Sequence, residues 1–266
     1  MAEGQHPARG EDARDRAPDA EPAPGELARR VEVGELVGRL SDEELTTRQR
    51  SRALAELTRL LGGAVRAAGA GALVSGRLLT DLVQQVAPHL SVRDLETLSA
   101  HHDGLVGEQL AEQLVRAASR STAAIGAAGG ALTALQSAAP PTLLAMPVEL
   151  LAETLAIVSV ELRLTAELHV AFGRAPLAPM PQVASAYLTS WASRRAVDPA
   201  AGVTLGTVLG VAARQQLRRR LTRRLARNLS MLAPLLAGAV AGAELNRRET
   251  RSLGAALIED LRGPPR

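Results

Sequence analysis

The sequence predicts an all-α protein, a helical bundle with close packing through glycine and alanine. Composition is the first reason. Hydrophobic residues make up 46% of the 266-residue chain, yet only Phe172, Tyr187 and Trp191 are aromatic. Aromatic and β-branched residues favour strands, whereas Ala, Leu, Arg and Glu favour helices. The second reason is the pair of helix-start patterns, Ser41-Asp-Glu-Glu44 and Ser91-Val-Arg-Asp94. The third is leucine at helical spacing after them, as at Leu45, Leu54, Leu57, Leu60 and Leu61.

Residues 1–26 are rich in Pro, Ala, Asp, Glu and Arg and lack the apolar core of a secretory signal. They read as a disordered tail before a single α-helical domain spanning 27–262. Ser41 is placed to cap the first strong helix, with Glu44 at its third position. Gly62-Gly63 and Gly69-Ala-Gly71 follow; such residues weaken a helix by about 1 kcal/mol each and suit sites where another backbone comes close. Pro88 ends the next segment, and the Ser91–Asp94 pattern starts a helix through about Arg120. No charge falls between Ser121 and Val148, a run with the length of a membrane span but diluted by glycines and divided by Pro140, Pro141 and Pro147. It predicts a short small-residue helix, a proline break, and a longer helix from about Thr142 to Phe172. The proline-rich 173–182 stretch is a linker or exposed loop. A new element starts at Asp198-Pro199, and a last amphipathic helix covers about Leu245 to Leu261.

Net charge is only +3, so the overall balance does not signal a nucleic-acid binder. Charge is concentrated locally, in Arg214, Arg218, Arg219, Arg220, Arg223, Arg224 and Arg227. On a helix, Leu217, Leu221, Leu225 and Leu229 form one stripe, with most of these arginines opposite. That is the pattern of a helix lying on an anionic membrane surface, where each basic residue contributes about 1 kcal/mol. A solvated helix with its leucines turned into the core has the same pattern. Nucleic acid is the weaker partner, because no aromatic lies nearby to stack on bases. Gly202, Gly206 and Gly210 share one helical face, and Gly238 and Gly242 repeat that spacing in the uncharged run after Arg227. Such spacing permits close helix crossing in a membrane or in a soluble bundle.

The 148–172 helix carries Glu149, Glu153, Glu161 and Glu167, with Arg163 and His169. Glu149, Glu153, Arg163 and Glu167 share a face. They read as a solvent face with an Arg163–Glu167 pair, and alternatively as acid, base or metal ligands. His101-His102-Asp103 reads as a surface turn, because adjacent histidines diverge and no second cluster sits at ligand spacing. Cysteine is absent, which removes thiol nucleophiles and thiolate metal sites. No nucleophile elbow, phosphate loop or His-Glu-x-x-His motif occurs. No catalytic residue, metal site or cofactor is expected, and the protein is expected not to be an enzyme.

Three stretches resemble the EcsC family of bacterial proteins: Ala123-Ala-Ile-Gly-Ala-Ala-Gly-Gly130, with the leucine-rich helix ending Phe172-Gly173; Leu221-Thr-Arg-Arg-Leu-Ala-Arg227; and Leu235-Leu-Ala-Gly-Ala-Val-Ala-Gly242, with Asn246-Arg-Arg-Glu-Thr-Arg-Ser-Leu-Gly254 after it. The likeness covers roughly 90–261. Family members often end the leucine-rich helix in Tyr-Gly, where this chain has Phe-Gly. The resemblance implies an α-helical fold and a membrane association in the neighbourhood of transport or secretion systems. It transfers no catalytic residue. The resulting expectation is a non-enzymatic protein at the cytoplasmic face of the cell membrane, peripheral or partly inserted, bound to anionic lipid or a membrane protein. The alternatives are an integral protein using 121–148 and 228–243, and a soluble cytoplasmic scaffold; a homo-oligomer is left open.

Overall fold

A computed structural model describes residues 24–41, 45–74, 77–136, 145–175, 184–188, 191, 215, 219 and 235–263. Every regular element among them is a helix. In chain order these are α1 (Pro24–Leu40), α2 (Thr47–Val74), α3 (Arg77–Val86), a 3-10 turn (Ala87–His89), α4 (Leu95–His101), α5 (Gly107–Gln136), α6 (Ala145–Ala171) and α7 (Leu235–Arg262). Residues 184–188 are also helical.

Local chemistry sets the boundaries. The capping box is five residues later than the sequence suggests. Ser41 closes α1, its hydroxyl donating to the Val37 carbonyl. The box that opens α2 is Thr46–Gln49: the Thr46 N–H donates to Gln49 Oε1 at 2.9 Å and the Gln49 N–H returns to Thr46 Oγ1 at 3.3 Å. Both stretches fit the motif, and the orphan amides of α2 choose between them. The segment from Ser91 is two helices. Asp94 caps α4 by accepting from the Thr97 N–H at 2.7 Å. The chain then reverses through Asp103 (φ 53°) and Gly104 (φ 79°), so the His101–Asp103 turn lies where expected. Gly173, at φ 65°, terminates α6.

The small-residue run is not a separate element. Residues 121–136 are the second half of α5, whose first half exposes Glu108, Glu112, Arg116 and Arg120. The last helix likewise starts earlier than expected, at Leu235 directly after Pro234. Gly238 and Gly242 therefore lie on the helix that carries Asn246 and Leu257. Gly62 and Gly63 meet no approaching backbone; a Cβ at either would find open space.

Helix α6 forms the centre and packs against α1, α2, α3, α4, α5 and α7. Leu151, Leu155, Val158 and Leu168 are fully buried on it, and so are Ala152 and Ala156. A helix buried on all sides must satisfy its polar atoms internally. The hydroxyls of Thr154, Ser159 and Thr165 each donate to the carbonyl four residues earlier. The most extensive pairing is α5 with α7. Among the described residues, no helix is long and apolar enough to cross a membrane.

Candidate functional site

The carboxylates of α6 do not form a solvent face. Glu149 is 7% exposed, Glu161 0% and Glu167 3%, while Glu153 is partly buried. The expectation fails because α6 has neighbours on every side, so a polar stripe on it must find partners from other helices. Burying a charge without such partners costs several kcal/mol.

Glu161 lies at the middle of a polar network joining four parts of the chain. Trp191 Nε1–H donates to Glu161 Oε2 at 3.0 Å. The Thr250 hydroxyl, from α7, donates to Glu161 Oε1 at 3.1 Å. Thr122 of α5 lies 2.9 Å from Thr250, hydroxyl to hydroxyl. The Thr122 hydroxyl also lies 3.2 Å from the Ser119 carbonyl, which accepts from it. Both threonines are fully buried. Asn246, also buried, donates from Nδ2 to the Thr122 carbonyl at 3.4 Å.

Glycines make this network fit. A Cβ on Gly126 would collide with the Asn246 amide and lie 3.1 Å from the Gly242 carbonyl oxygen. A Cβ on Gly129 would lie 2.8 Å from Glu153 Oε2. The Ala123–Gly130 run of α5 thus admits α7 and a carboxylate of α6. Gly254 of α7 does the same for Val115, whose methyls occupy the space a Cβ would need.

Glu167 forms a second buried cluster. Arg93 grips it in bidentate fashion, Nε to Oε1 at 2.9 Å and Nη2 to Oε2 at 3.0 Å. Arg163 adds Nε to Oε1 at 2.9 Å, the pair expected from the sequence. Two guanidiniums on one carboxylate leave a positive local balance. His169, two residues on, hydrogen-bonds through Nδ1 with the Thr165 carbonyl and meets the Tyr187 ring edge-on at 5.3 Å. Burial pushes the Tyr187 hydroxyl above its ordinary range. Arg50 is also buried and donates to the Leu40 carbonyl at 2.5 Å, capping α1.

These contacts hold helices together and contain no exposed nucleophile–base pair. Glu149 and Glu153 each have polar or electrostatic partners, so neither is a free carboxylate. Among the described residues no group of three or more His, Asp or Glu is placed to hold a metal.

Of the seven clustered arginines, the described one is Arg219, helical and exposed; Gln215, on the same segment, is helical and half-buried. Arg214, Arg218, Arg220, Arg223, Arg224 and Arg227 lie outside the described residues, as do Gly202, Gly206 and Gly210. Gly242 is buried against α5, and Gly238 stands one turn before it on α7. Of the residues missed as packing partners, Thr122 had one available signal, a polar side chain at the start of the uncharged small-residue run; Thr250, Asn246, Arg93 and Arg50 stand among other polar residues, and nothing along the chain sets them apart. No family model, curated protein or solved structure matches the chain.

Proposed function

We propose that this protein is a non-enzymatic helical protein that attaches peripherally to an anionic membrane surface through Arg214–Arg227. The observation that carries the reading is the cluster itself, seven arginines in fourteen residues beside a leucine stripe, with Arg219 helical and exposed. Guanidiniums at that density bind lipid phosphates additively, at about 1 kcal/mol each. The described helices support attachment over spanning, since none of them has the apolar length of a span. The buried polar networks fit the same reading, because their acidic and hydroxyl groups serve helix packing, and the cavity beside Glu167 and Arg93 holds only about 20 Å³. The EcsC likeness agrees with a place at the cytoplasmic face of the cell membrane, beside a transport or secretion system.

Fractionation of cells tests this. The protein is expected in the membrane pellet and is expected to leave it on washing with high salt or carbonate. Retention through both washes would favour the integral alternative, and absence from the unwashed pellet would favour a soluble scaffold.

A further inference from the structure

A groove of about 320 Å³ runs between α5 and α7, lined by Glu112, Val115 and Arg116 on one side and Arg251, Ala255, Ile258 and Arg262 on the other. The α7 residues recur at intervals of four, three and four, so they share one face of that helix. The floor is apolar, from Val115, Ala255 and Ile258. The Val115–Gly254 approach closes it from beneath.

The rim is basic. Three guanidiniums face one lining carboxylate, Glu112. Arg116 stands 3.8 Å from Glu112, at the margin of an ion pair, and Arg262 pairs with Glu108. Arg251 is exposed and has no acidic partner among the described residues. An unpaired guanidinium beside an apolar floor has two unmet preferences, an oxyanion that can accept two parallel hydrogen bonds, as a phosphate does, and a hydrocarbon surface. A volume near 320 Å³ is at the lower end of ligand sites, enough for a headgroup and the first carbons of a chain.

We propose that this groove binds the phosphate headgroup of a phosphomonoester lipid, with Arg251 and Arg116 on the phosphate and the start of the acyl chain over Val115 and Ile258. Inorganic phosphate has the charge but leaves the floor bare, so it binds more weakly. The site uses none of the arginines between 214 and 227, and it stands or falls separately from attachment through them.

Calorimetric titration of the full chain with dihexanoyl phosphatidic acid tests the site, using inorganic phosphate and dihexanoyl phosphatidylcholine as comparisons. Saturable binding of the phosphatidic acid is expected, at least tenfold tighter than either comparison. Arg251→Ala, at an exposed position, is expected to weaken it about tenfold, the loss of one charge-assisted contact. Ala255→Trp is expected to weaken it as much, by filling the floor without changing charge. In a chain with Arg219, Arg220, Arg223 and Arg224 replaced by Ala, which removes the separate phosphate contacts proposed for that segment, the saturable phase sensitive to Arg251→Ala is expected to remain. Equal affinity for the three ligands, or unchanged affinity in Arg251→Ala or Ala255→Trp, would overturn the proposal. Loss of the titration in the four-arginine variant would overturn it too, by moving the site to that segment.

Discussion

Glu161 is the residue on which the packing of α5, α6 and α7 converges. Its two oxygens receive donors from Trp191 and Thr250, and it is wholly buried. Glu161→Ala strands both donors, each at about 1–3 kcal/mol, so a destabilisation of about 2–5 kcal/mol is expected in urea unfolding. Thr250→Val removes one donor and leaves the carboxylate, and about 1–2 kcal/mol is expected. Trp191 is the only tryptophan, so its fluorescence reports the contact directly: Glu161→Ala is expected to red-shift its emission, and unchanged emission would show that the hydrogen bond does not hold the ring. None of this was visible along the sequence. Glu149, Glu153 and Glu167 share a helical face, and spacing alone makes such a face look solvated. The partners that bury these acids come from positions far off in the chain, such as Arg93, seventy-four residues from Glu167. The start of α4 was legible in part: the Ser91–Asp94 pattern pointed to a helix beginning there, and the residue that caps it is Asp94, the last of the four. The Thr97 N–H and hydroxyl hold its carboxyl below the ordinary 3.8. A depressed folded value means that the contribution is present above the unfolded value and is lost as pH falls through the folded one. In acid titrations followed by NMR, the Thr97 amide is expected to shift below about pH 4, and Asp94→Asn is expected to abolish that shift.

Helix α5 shows how one element answers two demands. Its first half alternates core leucines with exposed charges, Leu110 and Leu114 against Glu112 and Arg116, and this amphipathic pattern was readable. Its second half carries no charge, and the sequence left open whether lipid or protein surrounded it. The structure sets Gly126 against Gly242 and Asn246, and Gly129 against Glu153, so at these positions the neighbour is protein. The two kinds of glycine in the chain then predict opposite effects. Gly63→Ala, where a methyl meets open space, gains helix propensity, and a stabilisation of about 0.5–1 kcal/mol is expected. Gly126→Ala gains the same propensity, but it forces the α7 backbone outward and displaces the Asn246 amide. Overpacking of that kind costs about 1–3 kcal/mol, so a net loss of about 1–2 kcal/mol is expected. Thermal unfolding of the two variants side by side measures the difference; equal shifts would mean that α5 and α7 are not in close contact. The capping box was misplaced by five residues for a related reason. Ser41 and Thr46 both begin a fitting motif, and only the three-dimensional end of α1 shows that Ser41 is already used there.

Across the whole molecule, the fold class was legible because it depends on composition and period: few aromatics, many Leu and Ala, and caps at helix starts. The buried polar partners depend on which helices meet, and period is silent about that. Attachment to a membrane belongs to this largest scale, because it needs many guanidiniums acting together on a surface and no single one of them decides it. At about 1 kcal/mol each, removing four arginines costs about 4 kcal/mol, roughly a thousandfold in partitioning. Screening shortens their reach to about 8 Å at physiological salt and to about 3 Å at 1 M, so attachment is expected to weaken as salt rises. The direct measurement is co-sedimentation with vesicles of phosphatidylcholine alone or with 30% phosphatidylserine, a mixture on the order of a natural anionic leaflet. The full chain is expected to pellet with the anionic vesicles only, and the variant replacing Arg219, Arg220, Arg223 and Arg224 by Ala is expected to stay in the supernatant. Pelleting that ignores vesicle charge, or that survives loss of the four arginines, would contradict the account.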